Sequence, residues 1–122
     1  MNILVVEDEP LIRLGVVSVL EDSGHAVLEA GNADEAIAIL NSRNDVRLVV
    51  TDVDMPGSMD GMKLAAFVRA KWPPIKLIVI SGKIGVAPSH LPRGAGFLSK
   101  PYRDPQLLAM IDDLGRTDEA TP

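Results

Sequence analysis

Cysteine is absent from the 122 residues, which removes disulfides, thiolate nucleophiles and thiolate metal ligands together. Aromatic residues make up only 3%, against 47% hydrophobic residues, so any core must be built from Val, Ile, Leu and Ala. No apolar run reaches bilayer-spanning length. Met1 stands directly before the first strand, which leaves no room for a leader peptide. Lysine and arginine form no cluster to offset a net charge of −5, an imbalance that argues against nucleic acid or an anionic membrane as partner. The expectation is a soluble, cytoplasmic protein with one domain over residues 1–116 and a polar tail, 117–122, that frays.

What the chain does have is two apolar runs that end in acids. Leu48-Val49-Val50-Thr51-Asp52 reads as a central strand buried on both faces, with Asp52 delivered to the rim of the sheet. Ile3-Leu4-Val5-Val6-Glu7-Asp8 repeats the design. Further strands are expected over residues 25–30, 75–81 and 96–99. Between them, Pro10 suits the first turn of a helix over 10–22. Asn32-Ala33-Asp34-Glu35 has the form of a capping box, Asp60-Gly61 opens a helix that Pro73-Pro74 closes, and Asp104-Pro105 starts the last one. The helix over 10–22 is apolar on more than one side, through Leu11, Ile12, Leu14, Val16, Val17, Val19 and Leu20. Deep burial is the expected reason, with the docking of a partner helix as the second reading. Alternating strands and helices imply a parallel α/β sheet. Gly85, Pro88, Pro92 and Gly94 interrupt the stretch where a fourth crossover helix belongs, so a shortened, irregular segment is expected there.

Ligands of open α/β sheets sit beyond the carboxyl ends of the strands. Those ends carry Glu7, Asp8, Asp52, Ser81 and Lys100. Three crowded carboxylates repel one another unless a cation binds between them, and Mg²⁺ suits an oxygen-only set that supplies few ligands. Asp52 can attack phosphorus to form an acyl phosphate, while the metal, the Lys100 ammonium and the Ser81 hydroxyl neutralise and orient the phosphoryl oxygens. Taken singly, each residue has a plain structural role as a cap, a strand end or a surface charge. The five together, in this order, are what points to phosphoryl transfer.

On these residues the chain resembles the receiver domain of bacterial two-component response regulators. The likeness rests on Leu4 to Pro10, on Thr51-Asp52-Val53-Asp54-Met55-Pro56-Gly57 with Asp60-Gly61, on Ile80-Ser81-Gly82 and on Gly96 to Pro101. It implies a flavodoxin-like, doubly wound (βα)5 fold with five parallel strands in the order 2-1-3-4-5. It also implies that Asp52 accepts phosphoryl from a histidine kinase or a histidine phosphotransfer protein. By the same resemblance Glu7, Asp8, Asp52 and the Asp54 carbonyl hold Mg²⁺, Ser81 and Lys100 bind the phosphoryl group, and Phe97 is an aromatic switch. The Lys100–Pro101 bond is expected to be cis. Asp54 and Lys83 flank the path of the hydrolytic water, and are expected to pair and tune the lifetime of the phosphate.

The chain departs from the family pattern in three places. Glu7 replaces the commoner aspartate, Ser81 replaces threonine and loses the methyl that restricts its rotamer, and the segment from Ser81 to Lys100 is short and proline-rich. Because nothing after Leu114 can fold as an output module and Met1 abuts the first strand, a stand-alone phosphorelay switch acting on an unidentified target protein is expected, rather than a piece of a hybrid kinase. The enzyme alternative is a haloacid-dehalogenase-type phosphatase, since Asp52-Val53-Asp54 matches its Asp-x-Asp. A nucleotide or flavin binder is disfavoured, because Asp8-Glu9-Pro10 replaces a phosphate-cradling glycine loop.

Overall fold

Strand β3, Leu48–Asp52, is buried along its whole length, and the other elements are arranged around it in a computed structural model that describes residues 1–55, 57, 59–82 and 88–120 (backbone only at 88 and 117–120). β1 (Asn2–Val6) lies on one side of it and β4 (Lys76–Ser81) on the other; β2 (Ala26–Ala30) and β5 (Gly96–Ser99) form the edges. All pairings are parallel, in the order β2-β1-β3-β4-β5, as expected.

Alternation along each strand serves two cores. Ile3, Val5, Val50, Ile78 and Ile80 face α1 (Pro10–Asp22) and α4 (Asp104–Ala120) and pack with Val17, Leu20, Leu107 and Ile111. Leu4, Val6, Val49, Leu77 and Val79 face α2 (Ala33–Ser42) and α3 (Gly61–Lys71), and pack with Ala36, Leu40, Leu64 and Val68. This two-sided burial is why the strands read as unbroken apolar runs.

The helix ends follow their local chemistry. Asn32 Oδ1 accepts from the Glu35 N–H at 2.9 Å, while the Glu35 carboxylate reaches past Asn32 to the Gly31 N–H at 2.7 Å. Asp60 Oδ1 accepts from the Lys63 N–H at 2.9 Å. Gly24, at φ +92°, provides the left-handed residue that ends α1.

Three expectations meet a different or more detailed outcome. Helix α1 is not deeply buried: only Val17 and Leu20 are buried, Val16 packs against the core from partial burial, and Leu11, Ile12 and Leu14 are 78%, 47% and 59% exposed. Its apolar surface is wider than the sheet it covers. Helix α4 continues to Ala120, four residues past the boundary expected at 116, because no glycine or proline follows Gly115 until Pro122. In the β4–β5 crossover the described residues form only a short 3-10 turn, Pro88–His90, in keeping with the irregular segment expected there. Leu91 and Ala95 beyond it pack on the α2–α3 side of the core.

Candidate functional site

The pairing register assembles the carboxyl edge. Val6 pairs with Thr51 and Asp52 with Ile80, so Glu7, Asp52 and Ser81 leave three adjacent strands at nearly the same height. Ser81 pairs with Ser99, and the Lys100 N–H donates to the Ser81 carbonyl at 2.9 Å. The lysine lies over the end of β3, and the Lys100–Pro101 peptide is cis, as expected.

Glu7, Asp8 and Asp52 each place one carboxylate oxygen within 4.8 Å of the others'. Glu7 and Asp52 are only 5% and 7% exposed, whereas Asp8 is open to solvent. Lys100 Nζ donates to Asp52 Oδ2 at 2.9 Å, and the Asp54 N–H makes a long contact of 3.4 Å to Asp52 Oδ1. Burial opposes the charge on Lys100, but the hydrogen bond and charge of Asp52, with Glu7 behind it, hold the ammonium above its usual range. Glu7 is pushed up to about 7, first by burial and then by its acidic neighbours Asp8 and Asp52, against a hydrogen bond from the Glu9 N–H. A proton on Glu7 thus takes the place of positive charge that the trio lacks. An oxygen-only cluster with that deficit fits a hard divalent cation.

All but one of the other residues marked in the sequence have a described place. Ser81 is buried at the end of β4. Phe97 pairs with Val79, which puts it on the α2–α3 face, where it is half-buried. The Asp54 side chain is exposed beside the site. Lys83 lies outside the described residues.

Other residues shape the site without having been marked. The Arg13 guanidinium donates to the Glu7 carbonyl at 2.7 Å and pairs with Glu29 at 3.1 Å, tying α1 to the ends of β1 and β2. Its signal was a lone cation in the first turn of an apolar helix. Gly61 packs so tightly that a Cβ there would stand 1.9 Å from the Asp52 carbonyl oxygen. Ile12, Val16 and Tyr102 line a cavity of about 480 Å³ beside Asp52 and Lys100; Tyr102 carried no signal beyond its nearness to Lys100.

The arrangement presents one buried carboxylate between an ammonium and two further acids. Comparison with known proteins points to one family. The family model described as the response regulator receiver domain matches residues 3–112. The sensor kinase CckA of Brucella abortus (strain 2308) is 39% identical over 117 residues, covering 93% of this chain and 12% of that protein. The nitrogen assimilation regulatory protein NtrX of Azorhizobium caulinodans is 33% identical over 115 residues, 91% of this chain and 25% of that protein. The chain therefore spans no more than a quarter of the length of these relatives. A solved response regulator receiver protein from Sinorhizobium medicae WSM419 superposes with a TM-score of 0.89 at 28% identity, covering 97% of this chain and 96% of that one. With the match running from β1 well into α4, the chain belongs to the response regulator receiver domain family.

Proposed function

We propose that the chain is a phosphorylation switch in which Asp52 accepts a phosphoryl group from a histidine kinase or a histidine phosphotransfer protein. The observation that carries this reading is the Asp52 carboxylate itself, 2.9 Å from the Lys100 ammonium and within 4.8 Å of the oxygens of Glu7 and Asp8. An Asp52 oxygen attacks phosphorus, the bond from phosphorus to the donor nitrogen breaks, and its electron pair leaves with the imidazole. Lys100 follows the new negative charge, and the Ser81 hydroxyl, at the end of the neighbouring strand, is the donor we assign to it. Glu7, Asp8, Asp52 and the Asp54 carbonyl are the groups that would hold Mg²⁺, which when bound neutralises charge on the phosphoryl oxygens. Leu11, Ile12 and Leu14, apolar and exposed on the helix beside the site, are the surface we assign to the donor protein.

The test is incubation with acetyl phosphate and Mg²⁺ followed by intact mass. The expected result is one added phosphoryl group on the wild type and none on Asp52→Asn. Equal labelling of both, or of neither, overturns the assignment. Asp52-Val53-Asp54 also supports the phosphatase reading, because a second acid follows two residues after the first; steady multiple turnover of a phosphomonoester would decide for it.

A further inference from the structure

At the opposite edge of the sheet, where β3 and β4 begin, the charge reverses. Arg47 precedes β3, Lys71 ends α3, and both are exposed. With Trp72, Pro73 and Ile75 they line a cleft of about 290 Å³, and no carboxylate is among its described lining residues. Among the described residues the Arg47 guanidinium has no hydrogen-bond or ion-pair partner. Lys71 Nζ bonds a neutral group, Asn41 Oδ1, at 2.9 Å and stands 5.0 Å from the Trp72 ring centroid. Phe67 braces that indole edge-to-face, with centroids 6.1 Å apart. Arg43, on the rim, is already neutralised by Asp45, with contacts of 2.8 and 2.6 Å. In a chain of net charge −5, two cations that no carboxylate hydrogen-bonds among the described residues, Asp45 acting on Arg47 through its charge only, stand beside a braced indole and form a local anion trap with a flat apolar wall. A second, more open cleft of about 640 Å³ shares Trp72, Arg43 and Asn44 with it and carries Asp45 on its wall.

We propose that this cleft binds a small aromatic anion of mononucleotide size, its ring against Trp72 and its anionic group on Arg47 and Lys71. The cleft lies at the small end of ligand pockets, which suits one ring system and one charged group better than a folded partner. Stacking on an aromatic side chain and charge-assisted hydrogen bonds are additive sources of affinity of similar size, so neither half of the ligand should suffice alone. The site is separate from the acidic edge, at the other end of β3.

Trp72 is the only tryptophan, so its fluorescence reports the site directly. Titration with AMP at low salt should give a saturable change, with adenosine and inorganic phosphate each binding at least about tenfold more weakly. Arg47→Gln and Lys71→Gln, both exposed substitutions, should each weaken AMP about tenfold and leave phosphoryl acceptance unaltered. Asp52→Asn should bind AMP as the wild type does, which separates this cleft from the acceptor site. Failure to saturate at millimolar AMP overturns the proposal, as does AMP affinity indifferent to Arg47 and Lys71. Binding of an acidic peptide but not AMP also overturns it, and would make the cleft a protein interface.

Discussion

Replacing Gly61 by alanine tests whether the carboxyl edge is held by backbone contact or by side chains alone. The added Cβ would stand 1.9 Å from the Asp52 carbonyl oxygen, 2.7 Å from its carbonyl carbon and 2.9 Å from Val53 Cα. All three are backbone atoms at the end of a buried strand, so no rotamer can relieve the clash, and β3 and α3 must separate by about 1 Å. The same movement strains the bond from the Gly61 N–H to the Val53 carbonyl, now 2.9 Å. Overpacking of this kind costs about 1–3 kcal/mol. Alanine's better helix propensity returns at most about 1 kcal/mol, and less in the first turn. The net expectation is a loss of about 2 kcal/mol, or roughly 8 °C in melting midpoint for a domain of this size, together with slower phosphoryl acceptance by Asp52. Gly96→Ala is the control: its Cβ would meet Met110 Sδ at 2.5 Å, the end of a flexible side chain that can turn away, so a loss of under about 1 kcal/mol is expected. Calorimetric melting and the acetyl phosphate assay check both variants. If Gly61→Ala melted no lower than Gly96→Ala, the close approach would not be what seats Asp52.

The remaining predictions concern charge. Glu7 keeps its proton up to about pH 7 in the folded chain, against 4.5 when unfolded. The unfolded state therefore binds fewer protons over that window, and the stability this group contributes below pH 4.5 is lost as the pH rises through 7. Glu7→Gln, which mimics the protonated form, should gain about 1–2 kcal/mol over the wild type between pH 4.5 and 7.5 without divalent cations, after allowing for solvent screening. Urea unfolding at several pH values measures this, and a pH-independent difference would refute it. Mg²⁺ should restore the wild type and leave the variant little changed. Lys100→Met removes the 2.9 Å bond to Asp52 and leaves a buried carboxylate beside Glu7, so a loss of about 1–2 kcal/mol is expected at neutral pH. Phosphoryl acceptance should fall too. An unchanged urea midpoint with normal acceptance would mean that the pair carries neither stability nor chemistry.

The sequence carried what depends on neighbours along the chain. Unbroken runs such as Leu77-Ile78-Val79-Ile80 announce strands buried on both faces, and the acids that follow β1 and β3 announce the rim. The caps at Asn32 and Asp60 mark helix starts to within a residue. What could not be read depends on which surfaces meet. Apolar residues around α1 do not say how many sides the sheet can cover, and one sheet face covers only the side bearing Val17 and Leu20, so Leu11, Ile12 and Leu14 remain outside. The Glu35 carboxylate was expected to close on Asn32 and closes on Gly31 instead, a difference of one peptide that only backbone geometry decides. Arg47 and Trp72 lie on separate elements, and nothing in their spacing announces a shared cleft.

The electrostatics of the acidic edge bear on how a phosphoryl group there could be felt elsewhere. The edge sets three carboxylates against one ammonium, and burial together with that crowding raises Glu7. A phosphoryl group on Asp52 adds roughly one further negative charge, so the groups facing it must bring positive charge or donors closer. The backbone of Lys100 is already bonded to Ser81, so its ammonium can adjust only by side-chain rotation. The Ser81 hydroxyl, buried where β4 ends, is the other group we assign to answer that charge.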